Sequence, residues 1–204
     1  MTIAYRELGP GEFRSSIRAL VAVYAAAMNP PDRTLSGREA IMERHAASPG
    51  FRGLVAQADG ELAGFTYGFH GETGQWWHDM VAAALATRTG AAVSAAESAT
   101  PGGWLDDSFE VAELHMAPEY QGRGVGADVL LRLTSGRPER TALLSTRDAD
   151  TPARRLYRGT GFTDLLTAFH FFPGGEPPYA VMGAELPLRT RSAGPGGTTP
   201  PSPR

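Results

Sequence analysis

Residues 117–126 read APEYQGRGVG, Ala117 to Gly126. The stretch follows SFEVAELHM (Ser108–Met116), which reads as a strand, and precedes VLLRL, which reads as a helix. Glycine at such a junction costs backbone entropy, so its repeated use needs a physical reason. Close approach of a ligand to bare backbone N–H groups is one. Successive N–H groups of Gln121, Gly122, Arg123, Gly124, Val125 and Gly126 can converge on an anion. The positive end of the following helix adds about half an elementary charge aimed at it. Arg123 supplements that field, and a phosphate-bearing ligand fits. Two other uses compete. One is a structural turn. The other is the dinucleotide fingerprint G-x-G-x-x-A, met by Gly122, Gly124 and Ala127 with Asp148 downstream. That fingerprint needs its first glycine hard against a strand end, and here Ala117 to Gln121 intervene.

The 204 residues suit one domain, and an apolar content of 42% can fill its core. A net charge of −3 speaks against general nucleic-acid binding. Cysteine is absent, which excludes disulfides, cysteine-ligated zinc and a thiol nucleophile. All 19 basic residues are arginine. Without lysine, a Walker-type phosphate loop and lysine Schiff-base chemistry are both excluded. MTIAYRELGPGEF lacks a basic start followed by an apolar run, and no stretch approaches about 18 apolar residues. The expectation is a soluble cytoplasmic protein that does not span a membrane.

Around the glycine stretch the chain alternates strands and helices. Thr2 to Leu8 reads as a strand, and Phe13, Ile17, Leu20, Val21, Tyr24 and Met28 recur at helical spacing. Ser36 with Glu39 forms a capping box for a second helix through His45. FRGLVAQADGELAGFTYGFHG is a hairpin turned at Asp59-Gly60. Residues 73–104 break the rhythm: Trp76, Trp77, Met80, Val81 and Leu85 mark a helix in an insertion that ends in a mobile loop. The two tryptophans serve either core packing or an aromatic wall for a substrate. TALLST is a buried strand, Ala153, Leu156 and Tyr157 mark a further helix, and two strands close the domain. Residues 1–188 then form a single domain, and the Pro/Gly/Thr-rich tail 189–204 is expected to be disordered.

Strand, proline, then Gln121-Gly122-Arg123-Gly124-Val125-Gly126 resembles the Q/R-x-x-G-x-G/A signature of the GCN5-related N-acetyltransferases, the GNAT family. Further on, Ala153, Leu156, Tyr157, Gly161 and Phe162 match that family's A-x-x-L-Y-x-x-x-G-F. The resemblance is specific over residues 109–163. It implies an α/β fold with a mixed, mostly antiparallel sheet of roughly six to seven strands, a splayed parallel pair and flanking helices. It implies acetyl-CoA as acyl donor, with its pyrophosphate on the glycine turn. The pantetheine arm would lie along Leu114, His115 and Met116, and an N–H near Leu114 would face the thioester oxygen. Transfer would go directly to a primary amine on a small molecule or peptide. An inactive acyl-CoA sensor of the same fold is the alternative, and the oligomeric state stays open.

By the same resemblance Tyr157 protonates the leaving sulfur. For the base, Glu110 and Glu113 compete with each other and with a water relay. The two glutamates lie an odd number apart and face opposite sides of an unbroken strand, although a β-bulge would upset that parity. His115 is a further candidate, weakened because a lone histidine beside a core strand is ordinarily structural. The family often places asparagine where this chain has Asp150, which can cap the helix but not donate an amide N–H to the cofactor. The histidines lack metal-ligand spacing, and no metal is expected.

Overall fold

A computed structural model describes residues 2–31, 35, 37–89, 103–172 and 177–189. Its framework is a seven-stranded sheet: β1 (Ile3–Leu8), β2 (Arg52–Ala58), β3 (Glu61–Gly71), β4 (Ser108–Met116), β5 (Thr141–Arg147), β6 (Thr163–Phe169) and β7 (Tyr179–Glu185). The strand order is β1-β2-β3-β4-β5-β7-β6, and every neighbouring pair is antiparallel except β4 and β5. This is the sheet expected from the sequence. Among the described residues, five α-helices flank it: α1 (Pro10–Met28), α2 (Arg38–His45), α3 (Trp76–Thr89), α4 (Val125–Thr134) and α5 (Pro152–Gly159).

Alternation along the strands sends apolar side chains to both faces. Phe65, Tyr67 and Phe69 of β3 pack with Phe13, Ile17, Leu20 and Met42 of α1 and α2. On the other face Phe109 and Val111 of β4 pack with Val129, Leu130 and Leu133 of α4 and with Tyr157 of α5. Helix α3 packs Val81 against Leu166 and Val181 of β6 and β7. Ser145 pairs with Val181 across β5 and β7, which sets α3 on the same face as α1 and α2.

Local details correct the sequence reading. Helix α2 begins at Arg38 behind Gly37, whose φ is 83°, with no side-chain cap, so Glu39 closes no capping box; Ser36 lies outside the described residues. In α1, Val23 is buried and Met28 exposed, because the helix ends at Asn29 in a left-handed turn before the prolines. In α5 the buried partner of Tyr157 is Arg154, while Ala153 is exposed. Arg154 can be buried because Asp148 and Asp164 both pair with it. Asp148 also accepts the Ala168 N–H at 2.6 Å, which ties this carboxylate into local structure and away from a dinucleotide role. Most of the expected mobile loop, residues 90–102, and the tail from 190 onward lie outside the described residues.

Strand β4 is irregular on both of its edges. Its parallel pairing with β5 covers only Ser108 to Glu110, so the two strands part beyond Leu143. Its ladder with β3 shifts register between Gly68↔Val111 and Tyr67↔Glu113, leaving Ala112 as an extra, bulged residue. Gly68 permits that bulge. A Cβ built there would stand 2.3 Å from the Glu110 carbonyl oxygen and 2.6 Å from the Phe109 ring. Replacing Gly68 by valine is expected to cost about 1–3 kcal/mol or more, read as a lower denaturant midpoint at unchanged slope.

Candidate active site

The bulge decides where the two strand carboxylates point. Directly paired residues share a face, and Glu110 pairs with Phe69 while Glu113 pairs with Tyr67. Phe69 and Tyr67 both belong to the core under α1 and α2. With Ala112 inserted, Glu110 and Glu113 therefore face the same side, against the parity of an unbroken strand. Both line one cavity of about 850 Å³. Ser145, beyond the parting of β5, completes its floor; Arg38, Arg44 and His45 of α2 form one wall, and Trp76 and Trp77 of α3 the other.

The two carboxylates have opposite electrostatic lives. Glu113 is hydrogen-bonded by both Arg38 and His115. Burial alone would push its carboxyl up, but the His115 hydrogen bond and charge, then Arg38 and His45, outweigh that and hold it below its ordinary value. Arg38 also bonds the Tyr24 hydroxyl at 2.8 Å, which fixes the guanidinium. Glu113 is thus a tethered anion. Glu110 is 7% exposed, and its Oε2 has no hydrogen-bond partner among the described residues. Burial pushes its carboxyl up to about 8. A buried carboxyl that titrates near neutrality on a cavity floor is equipped to exchange a proton.

His115 is committed to Glu113 and stacks edge-on against Tyr24 with ring centres 4.9 Å apart. It is structural. His45 bonds the Tyr67 hydroxyl at 3.1 Å, and burial lowers its imidazole to about 4, so it is neutral at physiological pH. Neither Arg38, His45 nor Tyr67 carried a sequence signal, because each reaches the site through tertiary contact alone.

The backbone of β4 offers a second set of groups. The Ala117 N–H donates to Ala63 of β3 at 2.9 Å. In the antiparallel ladder, Glu113 and His115 then point their backbone groups at β3, and Leu114 and Met116 point theirs away. Away from β3 is the gap left by β5. The Met116 carbonyl accepts the Gln121 side-chain amide at 3.0 Å, which ties the loop to the strand. Gln121 thereby braces the turn.

Helix α4 begins at Val125, capped by Gly124 at φ 83° with no side-chain hydrogen bond. The Gly124 carbonyl takes the N–H groups of Ala127 and Asp128. The first N–H groups of the helix have no acceptor within it, so those of Val125 and Gly126 are left for an outside anion. Gly122 is also left-handed, at φ 70°, and no atom lies within 4 Å of the Cβ either glycine would carry. Open space and converging donors fit a diphosphate. Gly126 answers to packing: its Cβ would approach Leu156 of α5 to 3.0 Å. Arg123 lies exposed on the loop.

Tyr157 is buried in the core on the face opposite Glu110, its ring 5.9 Å from Phe162. Burial, then the Glu113 charge, pushes its phenol well above the usual range, so it is protonated at neutral pH. The gap between β4 and β5 separates the two groups. Asp150 is turned to solvent and pairs with Arg155 at 2.8 Å, while Thr151 caps α5 by accepting the Arg154 N–H at 3.1 Å. Trp77 packs beside Val81, bonds Ser145 Oγ at 3.2 Å and also lines the cavity. Among the described residues no group of three or more His, Asp or Glu side chains could hold a metal ion, and no helix is long and apolar enough to cross a membrane.

Comparison with known proteins agrees with this geometry. The model of the Acetyltransferase (GNAT) family matches residues 18–162. A GCN5-like protein acetyltransferase of Mycobacterium tuberculosis is 31% identical over 214 residues, covering 92% of this chain and 100% of that protein. Among solved structures, an acetyltransferase of the GNAT family from Desulfovibrio desulfuricans superposes with a TM-score of 0.60 at 14% identity, over 90% of this chain and 99% of that one. An N-acetyltransferase from Thermoplasma acidophilum, in complex with coenzyme A, gives 0.55 at 13% identity, over 91% and 99% of the two chains. A strand pair that parts beside a glycine-capped helix, together with these matches, shows that the chain belongs to the GNAT family of acetyltransferases.

Proposed function

We propose that the protein transfers an acetyl group from acetyl-CoA directly to a primary amine, with Glu110 as general base. The observation that carries this reading is the buried Glu110 carboxyl on the cavity floor beside the strand gap, its Oε2 without a partner among the described residues. The acetyl donor brings a thioester carbonyl and a thiolate leaving group. The N–H groups of Val125 and Gly126, with Gly122 and Gly124 opening the space around them, hold its diphosphate. Leu114 and Met116 align its arm along the open edge of β4, and the Leu114 N–H faces the carbonyl oxygen as negative charge grows there. One such donor is worth roughly 3 kcal/mol of barrier.

The amine must be neutral to attack. Glu110 takes its proton as the N–C bond forms and the C–S bond breaks. Tyr157, on the other side of the gap, donates to the departing sulfur. A thiol titrates at about 8.5, well below this buried phenol. Tyr157 therefore contributes a hydrogen bond to developing thiolate more than a completed proton loss. Asp150, exposed and paired, has no part in this scheme beyond the rim of the site. The relative in M. tuberculosis is described as a protein acetyltransferase; a side-chain amine of a protein is one acceptor compatible with the scheme.

Three outcomes test it. Release of free CoA from acetyl-CoA in the presence of an amine panel is expected, whereas tight CoA binding without turnover on any amine would favour an acyl-CoA-binding module. With an acceptor of low basicity, kcat/KM should rise with pH to a plateau above about 8. Glu110→Gln should remove that limb and lower the plateau about 100-fold, while Tyr157→Phe should cost only about tenfold.

Glu110 also leaves a mark on stability that needs no substrate. Its folded pKa of about 8 lies above the ordinary carboxylate range. The stability of the neutral form is thus fully present below that range and is lost as pH rises through about 8. Glu110→Gln escapes this loss. Its unfolding free energy should gain on the wild type by on the order of 3 kcal/mol between pH 5 and pH 9. A gap that does not change with pH would place Glu110 in a solvated or paired environment.

A further inference from the structure

The cavity mouth carries large apolar rings that the fold itself leaves uncovered. Trp76 is 54% exposed and Phe172 64% exposed. Isolated exposed aromatics are ordinary on protein surfaces, but these two are stacked, with ring centres 5.5 Å apart and planes within 18°. Phe171 joins them, 5.5 Å from Trp76, and Tyr179 meets Phe171 edge-on at 5.3 Å. All four rings line the cavity that has Glu110 at its floor. They come from separate elements: α3, the residues after β6, and the start of β7. The result is a continuous aromatic wall leading from solvent toward the buried Glu110 carboxyl.

We propose that this wall makes the enzyme selective for amines bearing an aromatic ring a short chain away from the nitrogen. The inference rests on the reading that the acceptor nitrogen meets Glu110. The wall offers π faces and edges on which a flat ring gains more than its buried area alone would give. A cationic amine approaching along the rings is attracted to their faces before it surrenders its proton at the floor. A cavity of about 850 Å³ holds such a molecule with space for the acetyl group. Trp76 is the specificity-determining residue: it contacts both Phe171 and Phe172 and remains largely open to solvent.

The test compares 2-phenylethylamine with n-butylamine, primary amines that differ in the ring. Binding is measured by calorimetry to the protein saturated with CoA, which carries no acetyl group to transfer, so the readout is independent of turnover. The expected result is 2-phenylethylamine binding about five- to tenfold more tightly. Trp76→Ala should abolish that preference and Trp76→Phe should retain it, with CoA affinity equal in all three proteins as the check on folding. Equal binding of the two amines, or a preference that survives Trp76→Ala, would overturn the proposal. If the preference holds and acetyl-CoA is never turned over with either amine, the catalytic reading fails while the aromatic selectivity stands.

Discussion

The parting of β4 from β5 is the constraint on which the rest of the site depends. The two strands pair only from Ser108 to Glu110 against Thr141 to Leu143. Backbone N–H and C=O groups removed from a ladder must find other partners or stay wet, so an open edge inside a sheet is costly unless something uses it. Here the cost is limited. On its other side β4 remains bonded to β3 as far as Met116, and the Met116 carbonyl is satisfied by Gln121. The buried faces of β4, packed by α1 on one side and α4 on the other, hold the strand in place while its outer edge stays available.

Beside that opening, two glutamates close together on one strand behave very differently. The bulge at Ala112 turns both toward the cavity. Arg38 and His115 then claim Glu113, whereas Glu110 Oε2 has no partner among the described residues and burial drives that carboxyl toward its neutral form. An ionised Glu113 beside the gap raises Tyr157 on the far side as well. One tethered charge thereby helps keep an acid protonated, while a neighbouring carboxyl is left near the point where it can accept or release a proton. Groups with such separated affinities are what acyl transfer between a thioester and an amine requires.

Much of this was legible in the chain. The Gln121–Gly126 turn and the run from Ala153 to Phe162 pointed to the family that the comparisons show, because both motifs occur in the right order with a strand between them. The strand ending at Met116 and the hairpin at Asp59-Gly60 followed from apolar alternation and turn chemistry, and the structure has both. The acceptor side was far less legible. Parity along SFEVAELHM puts Glu110 and Glu113 on opposite faces of an unbroken strand and on one face if a bulge intervenes, and only the register against Gly68 decides between the two. Arg38, His45 and Phe172 join the site from elements distant in sequence, so no local pattern marks them. Val23 buried beside a half-buried Val21, and Arg154 beside an exposed Ala153, show the same limit: helical spacing names a stripe, and tertiary partners choose its edges.

Amide hydrogen exchange with and without acetyl-CoA tests the central claim most directly. If the open edge of β4 and the start of α4 form the bed of the acyl donor, the ligand should slow exchange at Leu114, Met116, Val125 and Gly126. Glu113 and His115, already turned to β3, should change little. Protection spread evenly along β4, or none at Leu114 and Val125 under saturating acetyl-CoA, would contradict it.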